Sequence, residues 1–249
     1  MKHLEVSGLV KRFGGLLATD HVDLDLMRGE LHAVIGPNGA GKTTLINQLS
    51  GEILPDEGRI VFDGQDLTHE PPFRRAMAGL GRSFQITSVF NDFSVLQNTA
   101  LAVQAHAGHS FRFWKPAASQ RALTEPALVA LRRVGLFDRA QVPVASLAHG
   151  ERRQLEIAMV LATGAKCLLL DEPMAGMSPV ESEAVVALLQ ELKGEHTILL
   201  VEHDMDAVFA LADRLTVLVY GRPIATGTPE QIRNQPEVRE AYLGEAEHA

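Results

Sequence analysis

The chain has 249 residues, of which 46% are hydrophobic and 22% are charged, and its formal net charge is −8. This length allows a substantial core in one or two domains. The acidic balance excludes a general electrostatic attraction to nucleic acid or to anionic lipid, although it does not exclude a local basic patch. The single cysteine, Cys167, excludes an intrachain disulfide and a cysteine-cluster metal site.

The apolar runs of the sequence are short. The longest, such as TILLV and LTVLVY, have the length of a strand, whereas a membrane-spanning helix needs about 18 to 20 apolar residues. The N-terminal segment MKHLEVSGLVKRF lacks an apolar core of signal-peptide length. We therefore expect a soluble, cytoplasmic protein.

The first third of the chain predicts short strands separated by turns rich in Gly, Pro and Asp. These strands are HLEV, VDLDLM, LHAVI, GRIVF and GLGRSFQ. Over residues 89–162 apolar residues recur every three or four positions, a spacing typical of helices, in VLQNTALAVQA and PALVALRRVGL. The segment GHSFRFWKPAAS between these two helices is interpreted as a loop.

Beyond Cys167, predicted strands and helices alternate. In chain order they are CLLLD, VESEAVVALLQELK, TILLVEH, DMDAVFALA and RLTVLVYG. Strand, crossover helix and strand in succession predict a parallel sheet that is covered on both faces. The sequence therefore predicts an α/β core interrupted by a helical insertion.

The segment GPNGAGKTT follows the predicted strand LHAVI and precedes a helical run. It matches G-x-x-x-x-G-K-T in the strand, loop and helix order that confirms a phosphate-binding loop. Glycines let the backbone wrap around phosphate oxygens, and Lys42 supplies a cation to the β- and γ-phosphates. The Thr43 hydroxyl is an expected Mg²⁺ ligand. The predicted nucleotide-binding residues are Gly36, Pro37, Asn38, Gly39, Ala40, Gly41, Lys42, Thr43 and Thr44.

The run CLLLDEP supplies a second set of polar groups. Asp171 ends a predicted buried strand, at the edge where open α/β sheets bind ligands, and can hold the hydration shell of Mg²⁺. Glu172 projects differently because side chains alternate along a strand, and it can orient and deprotonate an attacking water. The alternative for each motif is structural: a Gly-rich surface turn for the first and a strand end for the second.

With the phosphate loop, the acidic pair and LAHGE (147–151) in this order, the chain resembles the ATP-binding subunits of ABC transporters over about residues 4–243. The resemblance implies an α/β P-loop NTPase fold with a mostly parallel sheet, an N-terminal antiparallel β-subdomain and an inserted α-helical subdomain. It implies one ABC ATPase domain over 1–249, with a nucleotide-binding core at 1–88 and 163–249 and a helical insertion at 89–162 that carries LAHGE. The implied activity is hydrolysis of ATP, with Mg²⁺, coupled to membrane transport.

The resemblance also implies roles for three further residues. Phe13 matches the aromatic that stacks on adenine, with an ordinary core phenylalanine as the alternative. Gln85 matches the glutamine that reaches Mg²⁺ and the attacking water, and its loop touches the membrane partner. His203 matches the switch histidine that contacts the γ-phosphate. The implied catalytic residues are Glu172, His203, Gln85 and Lys42, and the implied metal-binding residues are Thr43, Gln85 and Asp171.

LAHGE occupies the place of the family signature LSGGQ, which begins a helix that faces the γ-phosphate bound by the other subunit. Here the residues are Leu147, Ala148, His149, Gly150 and Glu151. The serine hydroxyl is absent and an anion stands where a neutral amide is usual, so backbone amides are expected to make the contact. Glu151 is expected to turn aside or to pair with Arg152 or Arg153. The alternative is that this segment only caps its helix.

Ser178 stands where the inter-subunit loop of the family carries aspartate, and a hydroxyl is a weaker partner than a carboxylate. Both departures lie on elements that face the neighbouring subunit. We therefore hypothesise that a second, different ABC ATPase completes the dimer, with a homodimer as the alternative. Transmembrane permease subunits and, indirectly, a substrate-binding protein are also implied partners. The implied location is the inner face of the cell membrane, with the subunit bound peripherally.

The second position of the signature, the continuation RRQLEIA and the ending GRPIATGTPEQIRNQPEVREAYLGE are most similar to the branch that imports branched-chain and hydrophobic amino acids. Another cargo, export, or a DNA-associated ABC-type ATPase are the alternatives. The DNA-associated class needs long coiled coils or basic surfaces. Neither heptads nor excess positive charge appears in the sequence, so no nucleic acid partner is expected.

Two apolar segments are candidate contact surfaces. Val89, Phe90 and Phe93 are interpreted as a groove for a helix of the membrane partner, with ordinary core packing as the alternative. The segment FRFWKP (111–116) mixes aromatic and cationic side chains. It is interpreted as a solvated loop, with a position near the membrane surface as the alternative.

Overall fold

The computed structural model describes residues 1–83, 89–107, 121–236 and Val238. Gln85, the segment FRFWKP and the last residues of the chain lie outside this described part. Within the described ranges, each helix is too short or too polar to cross a bilayer.

A four-stranded antiparallel sheet is formed by the first part of the chain. Its order is β2 (Leu16–Met27), β1 (Lys2–Phe13), β4 (Glu57–Phe62) and β5 (Gln65–Asp66). The first two strands extend beyond the predicted HLEV and VDLDLM. Irregular register between Val6 and Leu9, and at three other places along the pair, interrupts the apolar alternation without ending the pairing. The sequence pattern therefore underestimated the length of this hairpin.

A six-stranded sheet forms the centre of the molecule. Its order is β10 (Arg222–Gly227), β9 (Arg214–Val219), β3 (Leu31–Ile35), β8 (Thr197–Val201), β7 (Cys167–Asp171) and β6 (Leu80–Arg82). Neighbouring strands are parallel except for β9 and β10. Every residue of β3, β7 and β8 is buried, as expected for parallel strands covered on both faces. Their carboxyl ends meet at one edge, where ligands of open α/β sheets bind.

Helices cover the central sheet and form a separate packed group. In the described residues they are α1 (Lys42–Ser50), α2 (Pro72–Ala78), α3 (Val95–His106), α4 (Arg121–Arg133), α5 (His149–Ala162), α6 (Pro179–Leu192), α7 (Met205–Leu211) and α8 (Pro229–Arg233). α3, α4 and α5 pack on one another and lie between β6 and β7 in the chain. One apolar cluster joins this group to the sheet through Leu131, Leu155 and Leu168. The predicted α/β class with a mostly parallel sheet is confirmed.

Arg75 is completely buried and fixes the end of α1. Its guanidinium donates to the carbonyl oxygens of Gln48 (2.6 Å), Leu49 (2.8 Å), Thr68 (2.9 Å) and Glu70 (2.8 Å). The first two carbonyls belong to the last turn of α1, where a cation also complements the helix dipole. Burial lowers the pKa of Arg75 to about 10, so the side chain remains charged at neutral pH. The far end of the helix that begins at the phosphate loop is therefore anchored.

Candidate functional site

The phosphate loop connects the end of β3 to the start of α1. Two of its glycines are required by close backbone contacts. A Cβ at Gly36 would lie 2.1 Å from the carbonyl oxygen of Leu218, and a Cβ at Gly41 would lie 2.2 Å from that of Ala18. Gly41 also has a φ of +99°, a left-handed conformation that favours glycine. Neighbouring strands therefore constrain the shape of the loop.

Lys42 is the first residue of α1 and is almost completely buried. Its Nζ donates to the carbonyl oxygens of Gly36 (2.6 Å) and Pro37 (3.0 Å), which holds the ammonium group against the loop. Thr43, which is exposed, and Thr44 follow on the first turn of α1. A helix N-terminus attracts anions through its backbone N–H groups and its dipole. The arrangement therefore suits a polyphosphate.

The tip of the phosphate loop faces solvent, since Asn38 and Gly39 are exposed. The next residue, Ala40, is buried, and its carbonyl accepts a hydrogen bond from the amide of Gly221 (2.9 Å) in the turn between β9 and β10. The carbonyl of Gly221 in turn accepts one from the amide of Asp20 (2.9 Å) in β2. Both sheets thus support the loop, and support of this kind lowers the ordering cost of binding a ligand.

Asp171 is the last residue of β7 and is only 1% exposed. Burial raises the pKa of its carboxyl, and the Arg82 guanidinium opposes this rise. Its Oδ2 lies 3.5 Å from Nη2 of Arg82, whereas its Oδ1 has no hydrogen-bond partner among the described residues. A buried carboxylate oxygen is costly unless a cation or a water meets it. Together with the Thr43 hydroxyl on α1, which contacts β7, it provides oxygen ligands of the kind that suit Mg²⁺.

Glu172 and His203 meet at the ends of two neighbouring strands. Glu172 has a φ of +49°, which is uncommon for a residue other than glycine and is characteristic of functional sites. Its amide donates to the carbonyl of Val201 in β8 (2.9 Å), and its Oε1 lies 3.9 Å from Nδ1 of His203. The structure therefore brings the predicted base and the predicted switch histidine to within one water molecule of each other.

Glu202 is a site residue that the sequence analysis missed. It is 1% exposed, and its two oxygens accept hydrogen bonds from the amides of Met174 (2.9 Å) and His203 (3.1 Å). Burial raises the pKa of Glu202, and these N–H groups oppose the rise. Glu202 therefore ties the segment after Glu172 to the segment that carries His203. The signal was a carboxylate directly after a buried strand, but its main partner lies 28 residues away in the chain.

Arg82 was also missed. It ends β6, and its side chain is 8% exposed. Its Nη1 lies 3.0 Å from the Ser50 hydroxyl and 3.0 Å from Oε2 of Glu52, while its Nη2 points to Asp171. One guanidinium thus connects the end of α1 to the acidic pair. Its partners are distant in sequence, so no local pattern marks it.

Phe13 is the last residue of β1 and is 47% exposed, so it is not an ordinary core phenylalanine. Nζ of Lys11 lies 5.8 Å from the centre of its ring. The exposed ring is available as a stacking surface. The remaining predicted site residue, Gln85, lies outside the described residues.

The LAHGE segment begins α5. Leu147 is buried, Ala148 is the N-cap residue and His149 is the first helical residue. Because alanine offers no side-chain acceptor, the cap comes from Glu151, whose Oε2 accepts from the Ala148 amide (2.9 Å). Nε2 of the His149 ring lies 3.1 Å from the carbonyl oxygen of Ala175. The segment thus contacts the loop that follows Glu172, in addition to starting a helix.

Glu151 was expected to turn aside or to pair with Arg152 or Arg153; it turns aside, and the pairing with either arginine was wrong. Oε1 of Glu151 lies 3.1 Å from Nε of Arg139, outside the helix. Arg152 donates to backbone carbonyls, and Arg153 pairs with Glu156 at 2.9 Å. Residues one and two positions apart on a helix do not face each other, which explains why neither arginine reaches Glu151.

Gly150 packs against Glu181 of α6. Its amide donates to Oε1 of Glu181 (3.2 Å), and a Cβ at Gly150 would lie 2.7 Å from the same oxygen. The carboxylate also accepts from the amide (2.9 Å) and the hydroxyl (2.7 Å) of Ser178. The Ser178 backbone N–H, the Ser178 hydroxyl and the Gly150 amide lower the pKa of Glu181. The Ser178 hydroxyl also accepts from the Glu181 amide (3.5 Å), so Ser178 caps α6, a local role that the sequence analysis did not assign.

Comparison with known families agrees with this geometry. The family model described as ABC transporter matches residues 19–175, more than half of the chain. The chain belongs to the ABC transporter family. A second model, described as branched-chain amino acid ATP-binding cassette transporter, matches residues 222–248 of this ABC subunit.

Similar proteins cover almost the whole ABC subunit. LivG, a high-affinity branched-chain amino acid transport ATP-binding protein of Escherichia coli strain K12, is 43% identical over 250 residues, with 98% of each chain covered. BraF of Pseudomonas aeruginosa, which bears the same description, is 42% identical with the same coverage. A probable LivG of Archaeoglobus fulgidus is 36% identical over 250 residues, or 98% of this chain and 96% of that one.

Solved structures agree as well. A nucleotide-free ATP-binding cassette from an ABC transporter has a TM-score of 0.86 and 31% identity, covering 97% of this chain and 99% of its own. The ADP conformation of the cassette MJ1267 has a TM-score of 0.87 and 30% identity, covering 98% and 99%. The predicted P-loop fold and the predicted role, an ATP-hydrolysing subunit of an ABC transporter, are confirmed.

An apolar cavity of about 340 Å³ opens on the ABC subunit beside α2, β6 and α5. Its lining includes Phe73, which is 63% exposed, together with Glu52, Arg82 and Ser83. A large exposed aromatic beside a cavity is typical of a surface that binds another protein. Ser83, one of the lining residues, directly precedes residues 84–88 in the chain.

The predicted groove of Val89, Phe90 and Phe93 differs from this cavity. Val89 is partly buried and packs against the core. Phe90 and Phe93 are exposed, and their ring centroids lie 5.3 Å apart. None of these three residues lines the cavity, so the aromatic pair is a separate exposed feature.

Proposed function

We propose that this ABC subunit hydrolyses ATP with Mg²⁺ to drive the uptake of branched-chain or other hydrophobic amino acids. The observation that carries the chemistry is the meeting of three features at one sheet edge: the phosphate loop, the open oxygen of Asp171, and the pair of Glu172 and His203. The cargo is supported by the descriptions of LivG and BraF and by the second family model.

The phosphate loop is proposed to bind the β- and γ-phosphates of ATP. Its backbone N–H groups and the N-terminus of α1 face the phosphate oxygens, and the Lys42 ammonium group moves from two loop carbonyls to these oxygens. The exposed ring of Phe13 stacks on adenine. The triphosphate is thereby held at both of its ends.

Thr43 and Asp171, with Gln85, are proposed to hold Mg²⁺. Among the described residues no group of three or more His, Cys, Asp or Glu side chains forms an all-protein metal site. A site with few protein oxygens is usual for Mg²⁺ that binds together with a nucleotide. When bound, the ion would supply positive charge that neutralises the charge on the transferring group.

Glu172 is proposed to orient the attacking water and to accept its proton. The carboxylate lies beyond the end of β7, and His203 stands 3.9 Å from it across the neighbouring strand end. A water that hydrogen-bonds to both side chains would lie beside the pair and face the γ-phosphate, whose oxygens His203 and Lys42 contact during in-line displacement. Glu202 keeps the backbone of His203 in register with the segment after Glu172.

The N-terminus of α5 is proposed to contact the γ-phosphate bound by a partner cassette. Backbone amides would make this contact, because Ala148 has no hydroxyl and Glu151 is engaged with Arg139. The Gly150 amide, which donates to Glu181, would exchange that carboxylate for the phosphate. The partner is proposed to be a second, different ABC ATPase, on the evidence of the departures at Ala148, Glu151 and Ser178. A homodimer is the alternative. Closure buries both nucleotides, and loss of the γ-phosphate releases the halves.

The cavity beside α2 and the exposed pair of Phe90 and Phe93 are proposed to receive a cytoplasmic segment of a permease. This would place the ABC subunit on the inner face of the membrane as a peripheral protein, with a substrate-binding protein acting only through the permease. An apolar cavity next to a polar wall fits an amphipathic helix. Gln85 lies in the chain between Ser83, which lines the cavity, and Phe90.

Replacing Phe73 by aspartate is expected to weaken permease binding by roughly 10- to 100-fold, because burying a phenylalanine is worth about 1.5 to 3 kcal/mol. The measurement is co-purification with the permease subunits, followed by ATP-dependent leucine uptake in vesicles that contain them, the second ATPase and the binding protein. Val129, which is exposed on α4, provides the matched control, since Val129→Asp should leave both unchanged. Equal loss in the two variants would contradict the docking surface.

Failure of wild-type vesicles to accumulate leucine while an unrelated solute is accumulated would contradict the proposed cargo.

A further inference from the structure

We propose that Arg82 is a positioning residue that acts as the counter-ion of Asp171 when metal is absent and shifts toward Glu52 when the metal site is loaded. The proposal rests on the proposed function, in which Asp171 holds Mg²⁺. It adds a residue for which neither the phosphate-loop motif nor the acidic pair assigns a role.

The first observation is that Arg82 contacts both carboxylates at once. Nη2 lies 3.5 Å from Oδ2 of Asp171, and Nη1 lies 3.0 Å from Oε2 of Glu52. Nη1 also lies 3.0 Å from the Ser50 hydroxyl. The closer contacts are on the Glu52 side, so the guanidinium is already held more firmly at the end of α1 than at the metal site.

The second observation is the different exposure of the two carboxylates. The Asp171 side chain is 1% exposed, whereas that of Glu52 is 38% exposed at the cavity wall. A buried carboxylate needs a compensating cation, and Arg82 supplies it. A divalent ion on the same carboxylate would take over this role and repel the guanidinium, because like charges close together in a site of low dielectric interact strongly.

The third observation is that one nitrogen of the guanidinium makes no hydrogen bond within the described part of the chain. Its Nε has no hydrogen-bond partner among the described residues, so the group is held only through its terminal nitrogens. A rotation about the last side-chain bonds can release Asp171 while the Ser50 and Glu52 contacts are kept. Because Arg82 and Glu52 both line the cavity, loading of the metal site would change the charge presented at the cavity wall.

Manganese titration followed by electron paramagnetic resonance, in the presence of ADP, tests this proposal with a readout other than turnover. Arg82→Gln removes a cation that competes with the metal, so the affinity of this variant for Mn²⁺ should rise by about 3- to 10-fold. Arg82→Lys retains the charge and should stay within about twofold of wild type. Glu52→Gln removes the alternative partner and should weaken Mn²⁺ binding by about threefold, because Arg82 then remains at Asp171.

If Arg82 had only a structural role, the Arg82→Gln variant would bind Mn²⁺ no more tightly than wild type. Unchanged or weaker Mn²⁺ binding in Arg82→Gln, with a thermal midpoint equal to wild type, would overturn the proposal. If Arg82→Gln does not fold, tighter or unchanged Mn²⁺ binding in Glu52→Gln would overturn it instead. Asp171→Asn separates this from the proposed function: persistence of nucleotide-dependent Mn²⁺ binding in that variant would remove Asp171 as a metal ligand, whatever Arg82 does.

Discussion

Replacing Glu172 by glutamine is expected to lower ATP turnover by about 10²- to 10⁴-fold, the range that a positioned general base contributes. Glutamine keeps the size of the side chain, and the hydrogen bond to the Val201 carbonyl is made by the backbone N–H, so the strand end should not rearrange. What it loses is the capacity to accept the proton of the attacking water. ATP affinity should therefore change by less than about threefold, because the phosphate loop and Lys42 are untouched.

The measurement is phosphate release under single-turnover conditions, together with an ATP titration, on the subunit combined with its partner cassette. Glu183 is an exposed glutamate on α6, and Glu183→Gln provides the control with the same chemical change. It should keep at least half of wild-type turnover. If Glu172→Gln behaved like this control, another group would be the base.

Light scattering of the same variant with Mg²⁺ and ATP tests the partner hypothesis, since a tight dimer of this chain alone would remove the need for a second kind of subunit.

Replacing Arg75 by methionine is expected to lower the free energy of unfolding by about 3 to 5 kcal/mol. Four buried carbonyl oxygens, those of Gln48, Leu49, Thr68 and Glu70, would lose their donor together. Each buried acceptor without a partner costs about 1 to 3 kcal/mol, and the total is less than the sum because water and local relaxation satisfy part of the loss. For a chain of this size the midpoint of thermal unfolding should fall by roughly 6 to 20 °C.

Arg74 offers a matched control for this stability prediction. It is the neighbouring residue on α2, but it is exposed and its guanidinium lies over the Phe73 ring at 5.5 Å from the centroid. Arg74→Met should change the free energy of unfolding by no more than about 0.5 kcal/mol. Urea unfolding of both variants, with and without ATP, is the measurement. Equal stability of the two variants would mean that the hydrogen bonds of Arg75 to the four carbonyl oxygens do not anchor α1.

The parts of the site that lie on single local patterns could be predicted from the sequence. The phosphate loop follows from glycine spacing between a strand and a helix, and Asp171 follows from an acidic residue at the end of a buried strand. The left-handed conformation of Glu172 could not be predicted, since glutamate gives no local signal for a positive φ. In this conformation the carboxylate of Glu172 lies 3.9 Å from the His203 ring.

The parts that depend on distant partners could not be predicted. Arg75 appears in the sequence as one of two adjacent surface arginines, and only the folded chain shows that it reaches the end of α1. Glu202 and Arg82 are likewise defined by Met174 and Asp171, which are far away in the chain. The predicted pairing of Glu151 with Arg152 or Arg153 was wrong for a local reason. Side chains one or two positions apart on a helix point in different directions, and Glu151 pairs with Arg139 instead.

Calorimetric titration of ATP with Mg²⁺ tests the central claim most directly, since every other step depends on capture of the triphosphate by the phosphate loop. It is best performed on the Glu172→Gln form, so that hydrolysis does not interfere, with and without Lys42→Ala. The Lys42 ammonium group should make charge-assisted bonds worth about 1.5 to 3 kcal/mol, so its loss should weaken ATP binding by roughly 10- to 150-fold. Equal ATP affinity with and without the lysine would contradict the account.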